Sequence, residues 1–370
     1  MIDEGDAQQT VWTRYPKMAE STQSFTTLPI GEWIVTEKIH GANFSVVANG
    51  SGTWFAKRSG ELPEHEDFYG FRSAGLSSTL SACAHRLLDA LRRTGAVDSV
   101  CVFGELCGGH YPHPEVPAVP GTMPVQRGVW YSPCLDFVAF DVSVCERGVD
   151  ETVMRRRFLD FEEARRLALQ AGFHFVEALA KGSLQACLDA PIRFSSRVPS
   201  MLRLPMLPEL GMHNLAEGVV VRMAHEAGAC ESAIGSKGKG GKRMMFKRKI
   251  AEFSEKQYQN EGWRDARDAA GGGGGPSQAE LVRWEMLAAV SEPRLEAVAS
   301  KVGRISLEDR AACRALLDLF QADVIEALVA DGCILPGETL SHSLAAELEA
   351  AARPLVARWL RAQAAPLTAD

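Results

Sequence analysis

Short apolar runs of strand length, each closed by a glycine or a charged residue, fill roughly the first two thirds of the 370-residue chain. Gly31-Glu32-Trp33-Ile34-Val35-Thr36 reads as a strand that delivers Glu37-Lys38-Ile39-His40, and Gly41 permits a tight turn before Phe44-Ser45-Val46-Val47 resumes extended structure. Similar runs surround Phe55-Ala56, Val100–Leu106, Leu135–Val142, Val219-Val220-Val221 and Phe246. After Gly271-Gly272-Gly273-Gly274-Gly275-Pro276 the composition shifts to Ala, Leu, Glu and Arg, and the period changes. Ser277 to Val290 reads as a helix. Ser306 with Asp309 offers a variant capping box for a second helix reaching about Ala330, with Gly332 as its stop. Leu316, Phe320, Val324 and Leu328 recur at helical spacing and are expected in the core. A last helix around Leu344, Leu348, Leu355 and Trp359 carries Pro354, where a kink or restart is expected. The pattern divides the chain into a strand-rich domain over 1–262, a Gly-rich linker over 263–276 and a helical domain over 277–370.

Charged residues interrupt the apolar runs at a few places, and these carry the candidate chemistry. Lys38 ends a strand between Glu37 and His40; an amine is a nucleophile only when unprotonated, so such a lysine needs desolvation or neighbouring cations. Lys247 and Lys249 are two apart, which on a strand sets both ammoniums on one face. A polyphosphate reconciles such a pair, and so does a solvated strand edge. Glu105 and Asp141 lie in runs apolar enough to be buried, so each needs a hydroxyl, Arg58, a lysine or a hydrated metal ion as partner. Structural ion pairs account for many carboxylates of this kind. Phe140 can lay its ring on a purine or serve as plain core. Glu217 stands at the mouth of the Val219-Val220-Val221 strand, where it can hold a metal-bound water.

Taken in order, Glu37-Lys38-Ile39-His40-Gly41, Ala56-Lys57-Arg58-Ser59-Gly60, Val102-Phe103-Gly104-Glu105-Leu106, Phe137-Val138-Ala139-Phe140-Asp141, Glu217-Gly218-Val219-Val220-Val221-Arg222 and Phe246-Lys247-Arg248-Lys249 closely resemble the covalent nucleotidyltransferase superfamily of ligases and capping enzymes. Within it they resemble the RNA ligase 2 family, from Gly31 to about Lys256. Gly108-Gly109-His110-Tyr111-Pro112-His113-Pro114, with Val125-Gln126-Arg127 and Tyr131-Ser132-Pro133, is similar to the mitochondrial RNA-editing ligases. The resemblance implies an α+β adenylyltransferase domain of packed, mainly antiparallel sheets with flanking helices, followed by an all-α domain. It implies that Lys38 attacks the ATP α-phosphorus to form lysyl-AMP. Glu37 would sit at the adenine, His40 near the departing pyrophosphate, and Asn43 beside the nucleotide or the 5′-phosphate. Arg58 and Glu105 would hold the ribose, and Phe140 would stack on the base. Glu217 and Asp141 would organise a hydrated Mg2+ or Mn2+, while Lys247 and Lys249 would clamp the α-phosphate. AMP then passes to an RNA 5′-phosphate, and a 3′-hydroxyl displaces it.

Arg222 stands where relatives commonly carry lysine, and ideal pleating puts it on the strand face opposite Glu217, so its part in cofactor binding is left open. Gly235-Ser236-Lys237-Gly238-Lys239-Gly240-Gly241-Lys242-Arg243 is basic and glycine-rich but is no Walker loop, because no Ser or Thr follows Gly241-Lys242. The Cys107, His110 and His113 spacing lacks a second ligand cluster and does not read as zinc. The tail has no run of short alternating strands of the kind that DNA ligases and capping enzymes place after this domain. It resembles the helical domain of RNA ligase 2, notably at Ala299-Ser300-Lys301-Val302-Gly303.

Composition changes this picture little. With 46% apolar residues the chain can build a large core, and no apolar run approaches membrane-span length. The acidic start Met1-Ile2-Asp3-Glu4-Gly5-Asp6 is unlike a signal peptide, and nine cysteines without paired spacing suggest a reducing, cytoplasmic setting. A net charge of −7 does not exclude an RNA partner, since phosphate contacts need only a basic face. The expectation is a monomeric ATP-dependent RNA ligase sealing 3′-OH/5′-phosphate ends, with nicks in duplex RNA as its substrate. The alternatives are an inactive RNA-end-binding relative and a DNA nick ligase.

Overall fold

Eight strands of one sheet and four of another build the first part of the chain, and every pairing between them but one is antiparallel. The computed structural model describes residues 12–19, 22, 25, 28–147, 154–207, 214–225, 232–233, 243–254 and 278–364. Two compact units result, Met1–Ile250 and Ala251–Asp370. The Gly-rich linker expected over 263–276 lies outside the described residues, as does all of the basic 235–243 stretch except Arg243.

In the first unit, β1 (Trp33–Glu37) is buried along its whole length, as its unbroken apolar run requires. It lies between β10 (Gly218–Met223) and β9 (Ala178–Gly182), and β12 (Met245–Lys249) pairs with β10. Trp33, Val35, Val219, Val221 and Phe246 share one face and pack with Cys187 of α3 (Leu184–Asp189), which is followed by the short α4 (Val198–Met201). Cross-strand register puts Thr36, Val220 and Lys247 side by side on the other face, with Gly218 opposite Lys249. The two lysines therefore rise from one face, as their spacing predicts.

The larger sheet contains β2 (Ala42–Asn49), β3 (Gly52–Lys57), β4 (Gly60–Glu61), β5 (Val97–His110), β6 (Ser132–Arg147), β7 (Met154–Phe158) and β11 (Ser232–Ala233), with β8 (His174–Phe175) parallel beside β6. Helix α1 (Leu76–Arg92) packs on β2 and β5 through Leu80, Cys83, Ala84, Leu87, Leu88 and Leu91, and α2 (Phe161–Ala171) packs beside it. On the opposite face Val47, Cys101, Phe103 and Phe158 cluster with Tyr15 and with Met245 of the small sheet, so the two sheets face each other there. A bulge sits in this face. Phe103 opposes Asp141 while Gly104 opposes Ala139, which leaves Phe140 as the extra residue. Phe140 and Asp141 consequently turn to the same side, and both touch Tyr15.

Among the described residues the regular elements of the second unit are all helices, chiefly α5 (Gln278–Ala289), α6 (Glu292–Val302), α7 (Arg310–Ala330) and α8 (His342–Ala364). Leu316, Phe320, Val324 and Leu328 are fully buried in its core, together with Leu348 and Trp359. Two sequence expectations change here. The α7 cap is Asp309, whose Oδ1 accepts from the Ala312 N–H at 2.9 Å, because Ser306 is spent on a preceding turn. And α8 runs through Pro354 without restarting: the residue is exposed, so water can take the carbonyl that its missing N–H leaves unbonded.

Gly218 is the position where backbone geometry is least forgiving. Its φ of +150° disfavours side chains, and a Cβ would lie 2.1 Å from the Arg248 carbonyl oxygen on β12. Gly218→Ala should therefore lower unfolding free energy by about 2 kcal/mol or more. Gly60→Ala, which meets nothing within 4 Å, should stay within about 0.5 kcal/mol of wild type. Denaturant titration of both variants checks this, and equal stability would count against the close β10–β12 junction.

Candidate active site

Lys38 leaves the end of β1 and is anchored at once, its N–H donating to the Gly218 carbonyl at 2.9 Å. Its Nζ donates to Glu217 Oε2 at 2.7 Å, and Lys249 Nζ lies 2.9 Å from the other oxygen, Oε1. His40 Nδ1 is 3.3 Å from Oε2. Glu217 stands one residue before β10, and the Gly218 backbone frees it from the pleat that would oppose it to Arg222. Burial pushes the Glu217 carboxyl upward, but the Lys38 and Lys249 ammoniums, aided by His40, hold it well below the usual carboxylate range. Lys247 rises from the same strand face as Lys249 and is half-buried.

Glu37 points elsewhere. Its Oε2 accepts from the Arg197 N–H at 2.8 Å, while Oε1 is buried without a hydrogen-bond partner of normal geometry among the described residues. Burial raises this carboxyl to about 7 against the opposing pull of the Ser196 hydroxyl and the Arg197 amide. With Ile39, Val176, Leu179, Val198 and Met201, and with Glu177 and Arg197 beside them, it lines an open cleft. Apolar walls around one unsatisfied acceptor suit a flat heterocycle that bears an amino group.

Asn43 and Glu105 oppose each other across β2 and β5. Burial lifts Glu105 to about 8, with Lys38, Arg58 and Lys249 acting in the other direction and Glu217 adding to the rise. Arg58 donates to the Tyr15 carbonyl at 2.5 Å.

The remaining candidates form a second cluster, and here the sequence expectation needs correction. Asp141, expected at a hydrated metal, is fully buried and accepts from Tyr15 at 2.7 Å, Arg222 at 2.8 Å and Arg243 at 2.6 Å, all on Oδ2. Two guanidiniums that close repel a cation, so Asp141 is an ion-pair hub and not a metal holder. Burial would raise its pKa, but Arg222 and Arg243 pull it below the ordinary value. Arg222 is occupied by Asp141 and the Phe140 carbonyl, and stacks over Phe161 at 5.3 Å. The Phe140 ring, expected on the base, meets the Tyr15 ring edge-on at 5.0 Å and is half-buried. Sequence reasoning missed Tyr15, Arg243 and the Arg197 amide. The only signal for Tyr15 was an aromatic-rich stretch, Trp12 to Tyr15, ahead of Pro16.

No group of three or more His, Cys, Asp or Glu residues among the described ones is arranged to hold a metal ion. Glu217 offers a hard oxygen beside the lysines, and the Glu105 carboxyl lies near enough to interact with both of them. That fits a Mg2+- or Mn2+-like cation, which takes one or two carboxylates and completes its shell with water and phosphate oxygens.

A family model described as RNA ligase matches residues 31–248. RNA-editing ligase 1, mitochondrial, of Trypanosoma brucei brucei is 32% identical over 214 residues, 52% of this chain and 44% of that protein. RNA-editing ligase 2, mitochondrial, of the same organism is 31% identical over 210 residues, 52% of this chain and 48% of that protein. The chain thus spans less than half the length of these curated relatives. A Naegleria gruberi RNA ligase mutant solved with ATP and Mn is 14% identical, covering 60% of this chain and 51% of that one with a TM-score of 0.35, too low to support a conclusion. Because the matched stretch is more than half of its 370 residues, the chain belongs to the RNA ligase family.

Proposed function

We propose that the protein is an ATP-dependent RNA ligase that joins 3′-OH and 5′-phosphate RNA ends, with nicks in duplex RNA as the preferred substrate. One observation carries the reading: the Lys38 amine and the Lys249 amine share the Glu217 carboxylate, 2.7 and 2.9 Å away. Lys38 Nζ, once its proton is lost to solvent, attacks the ATP α-phosphorus; the N–P bond forms as the bond to the departing pyrophosphate oxygen breaks. Glu217 is too weak a base to take that proton, since the two ammoniums hold its pKa so low. Its part is to aim Lys38 and keep Lys249 at hand for the phosphate. A divalent cation, Mg2+ or Mn2+, held by Glu217 through water, would spread the charge that develops on the phosphoryl oxygens. Lys247 and Lys249 would add fixed positive charge to the same oxygens. His40 would stand at the pyrophosphate side, Asn43 at the nucleotide or 5′-phosphate, and Arg58 with Glu105 at the ribose.

Glu37 Oε1 would accept from the adenine amino group inside its cleft, with the Ile39, Val176 and Val198 side chains rather than Phe140 beside the ring. A guanine would present a carbonyl there and repel the carboxylate. AMP on Lys38 would then pass to the RNA 5′-phosphate, and the 3′-hydroxyl would displace it. The helical unit would engage duplex RNA beside the nick. A monomer in a reducing compartment such as the cytoplasm is our reading of the setting: the eight described cysteines are all free. No described helix is long and apolar enough to cross a membrane.

Incubation with α-labelled ATP and a divalent cation should leave label on the wild-type protein and none on Lys38→Ala. An unlabelled wild type would remove the enzyme reading, and a DNA nick sealed as fast as an RNA nick would remove the RNA assignment. A second prediction follows from Glu37. Its carboxyl is raised from 4.5 to about 7 on folding, so the folded chain holds the proton more tightly. The associated stability is complete below pH 4.5 and is lost as pH rises toward 7, by up to about 3 kcal/mol. Over that window the thermal midpoint of nucleotide-free wild type should fall relative to Glu37→Gln. A constant gap between the two proteins would contradict the burial of this acid.

A further inference from the structure

β1 ends at Glu37 and β2 begins at Ala42, so the backbone that carries Lys38 and His40 lies outside any strand ladder and must find its partners elsewhere. The Lys38 N–H takes the Gly218 carbonyl, whereas the contacts that hold His40 and Glu37 lead back to one residue, Asn214, through its side chain and its main-chain carbonyl. Asn214 Oδ1 accepts from the Trp130 N–H at 2.8 Å, and its Nδ2 donates to the Trp130 carbonyl at 2.7 Å, copying the edge of a peptide group. The Asn214 carbonyl accepts from the Ser196 N–H at 2.8 Å. The chain neighbour of each partner touches the site. Tyr131, next to Trp130 and 1% exposed, receives the His40 N–H on its hydroxyl oxygen at 2.8 Å. Arg197, next to Ser196, donates its N–H to Glu37 at 2.8 Å. Glu217 itself follows Asn214 by three residues.

We infer that Asn214 is a positioning residue for the Lys38 site, with Tyr131 as the relay that fixes His40. Its catalytic consequence rests on the ligase reading above. Asn214 touches neither Lys38 nor Glu37; it acts by fixing three otherwise separate segments relative to one another. Catalysis is sensitive to such fixing, since a misplacement of about 1 Å costs on the order of 100-fold in rate.

Tyr131→Phe removes only the hydroxyl, and Asn214→Ala removes the side-chain clamp on Trp130 while keeping the main-chain bond to Ser196, so the two separate the relay from its anchor. Amide hydrogen exchange of the nucleotide-free protein and single-turnover labelling by ATP are read on each. In Tyr131→Phe the His40 amide should exchange about tenfold faster while the Arg197 amide keeps its protection. Its labelling rate at saturating ATP should fall about tenfold, with the half-saturating ATP concentration unchanged. In Asn214→Ala the His40 amide should lose protection as in Tyr131→Phe, the Arg197 amide should keep it because Ser196 bonds the main-chain carbonyl at 214, and the labelling rate should fall. The double variant should label no more slowly than Asn214→Ala alone, as expected for residues on one path. Wild-type protection of His40 in both single variants overturns the inference, and so does a loss of protection spread evenly over all amides, or rate losses that multiply in the double variant. If His40 responds as expected but wild type takes no label, the positioning stands and the ligase reading falls; if wild type labels and His40 does not respond, the reverse holds.

Discussion

Two ammoniums brought together from either side of β10 drive each other apart unless an anion lies between them, and Glu217 is the anion between Lys38 and Lys249. The carboxylate is buried, a costly place for a charge, and it stays ionised because both lysines and His40 surround it. This contact also sets what the site can receive. A phosphate group offers negative charge with more oxygens, so it can share the two lysines with Glu217. The close β10–β12 approach at Gly218 is what brings Lys249 within reach, and the N–H of Lys38 on the Gly218 carbonyl fixes the third member.

The second ionic cluster serves a different end. Asp141 on the large sheet binds Arg222 on β10 and Arg243 just before β12, while Tyr15 closes over all of them. Arg243 lies over the Phe158 ring at 3.7 Å. This is a cross-sheet tie made of charge and aromatic surface, and it leaves the opposed faces of the two sheets correctly spaced for the Lys38 site. Breaking such a buried pair by removing one partner typically costs about 3–5 kcal/mol, which explains why these residues have no freedom to serve as metal ligands.

What was legible in the sequence follows from distance along the chain. Lys247 and Lys249 could be assigned to one face because the strand period is two, and the α7 core could be read because its contacts recur every four residues. The glycine-closed strand ahead of Lys38 marked that lysine as a candidate for the same local reason. Asp141 was read as buried and needing a partner, but its partners lie 126, 81 and 102 residues away, and no local pattern names them. One extra residue in β6 reverses the alternation at Phe140, a change invisible in a run that is apolar on both sides. Asn214 and Tyr131 escaped because each acts through backbone groups, which every residue has.

The account stands or falls on the atom that receives the nucleotide. Tandem mass spectrometry of peptides from ATP-treated protein locates it directly. The account predicts an acid-labile AMP adduct on the peptide containing Lys38, on that side-chain nitrogen. An adduct found on Lys247, Lys249 or a hydroxyl residue instead would contradict it.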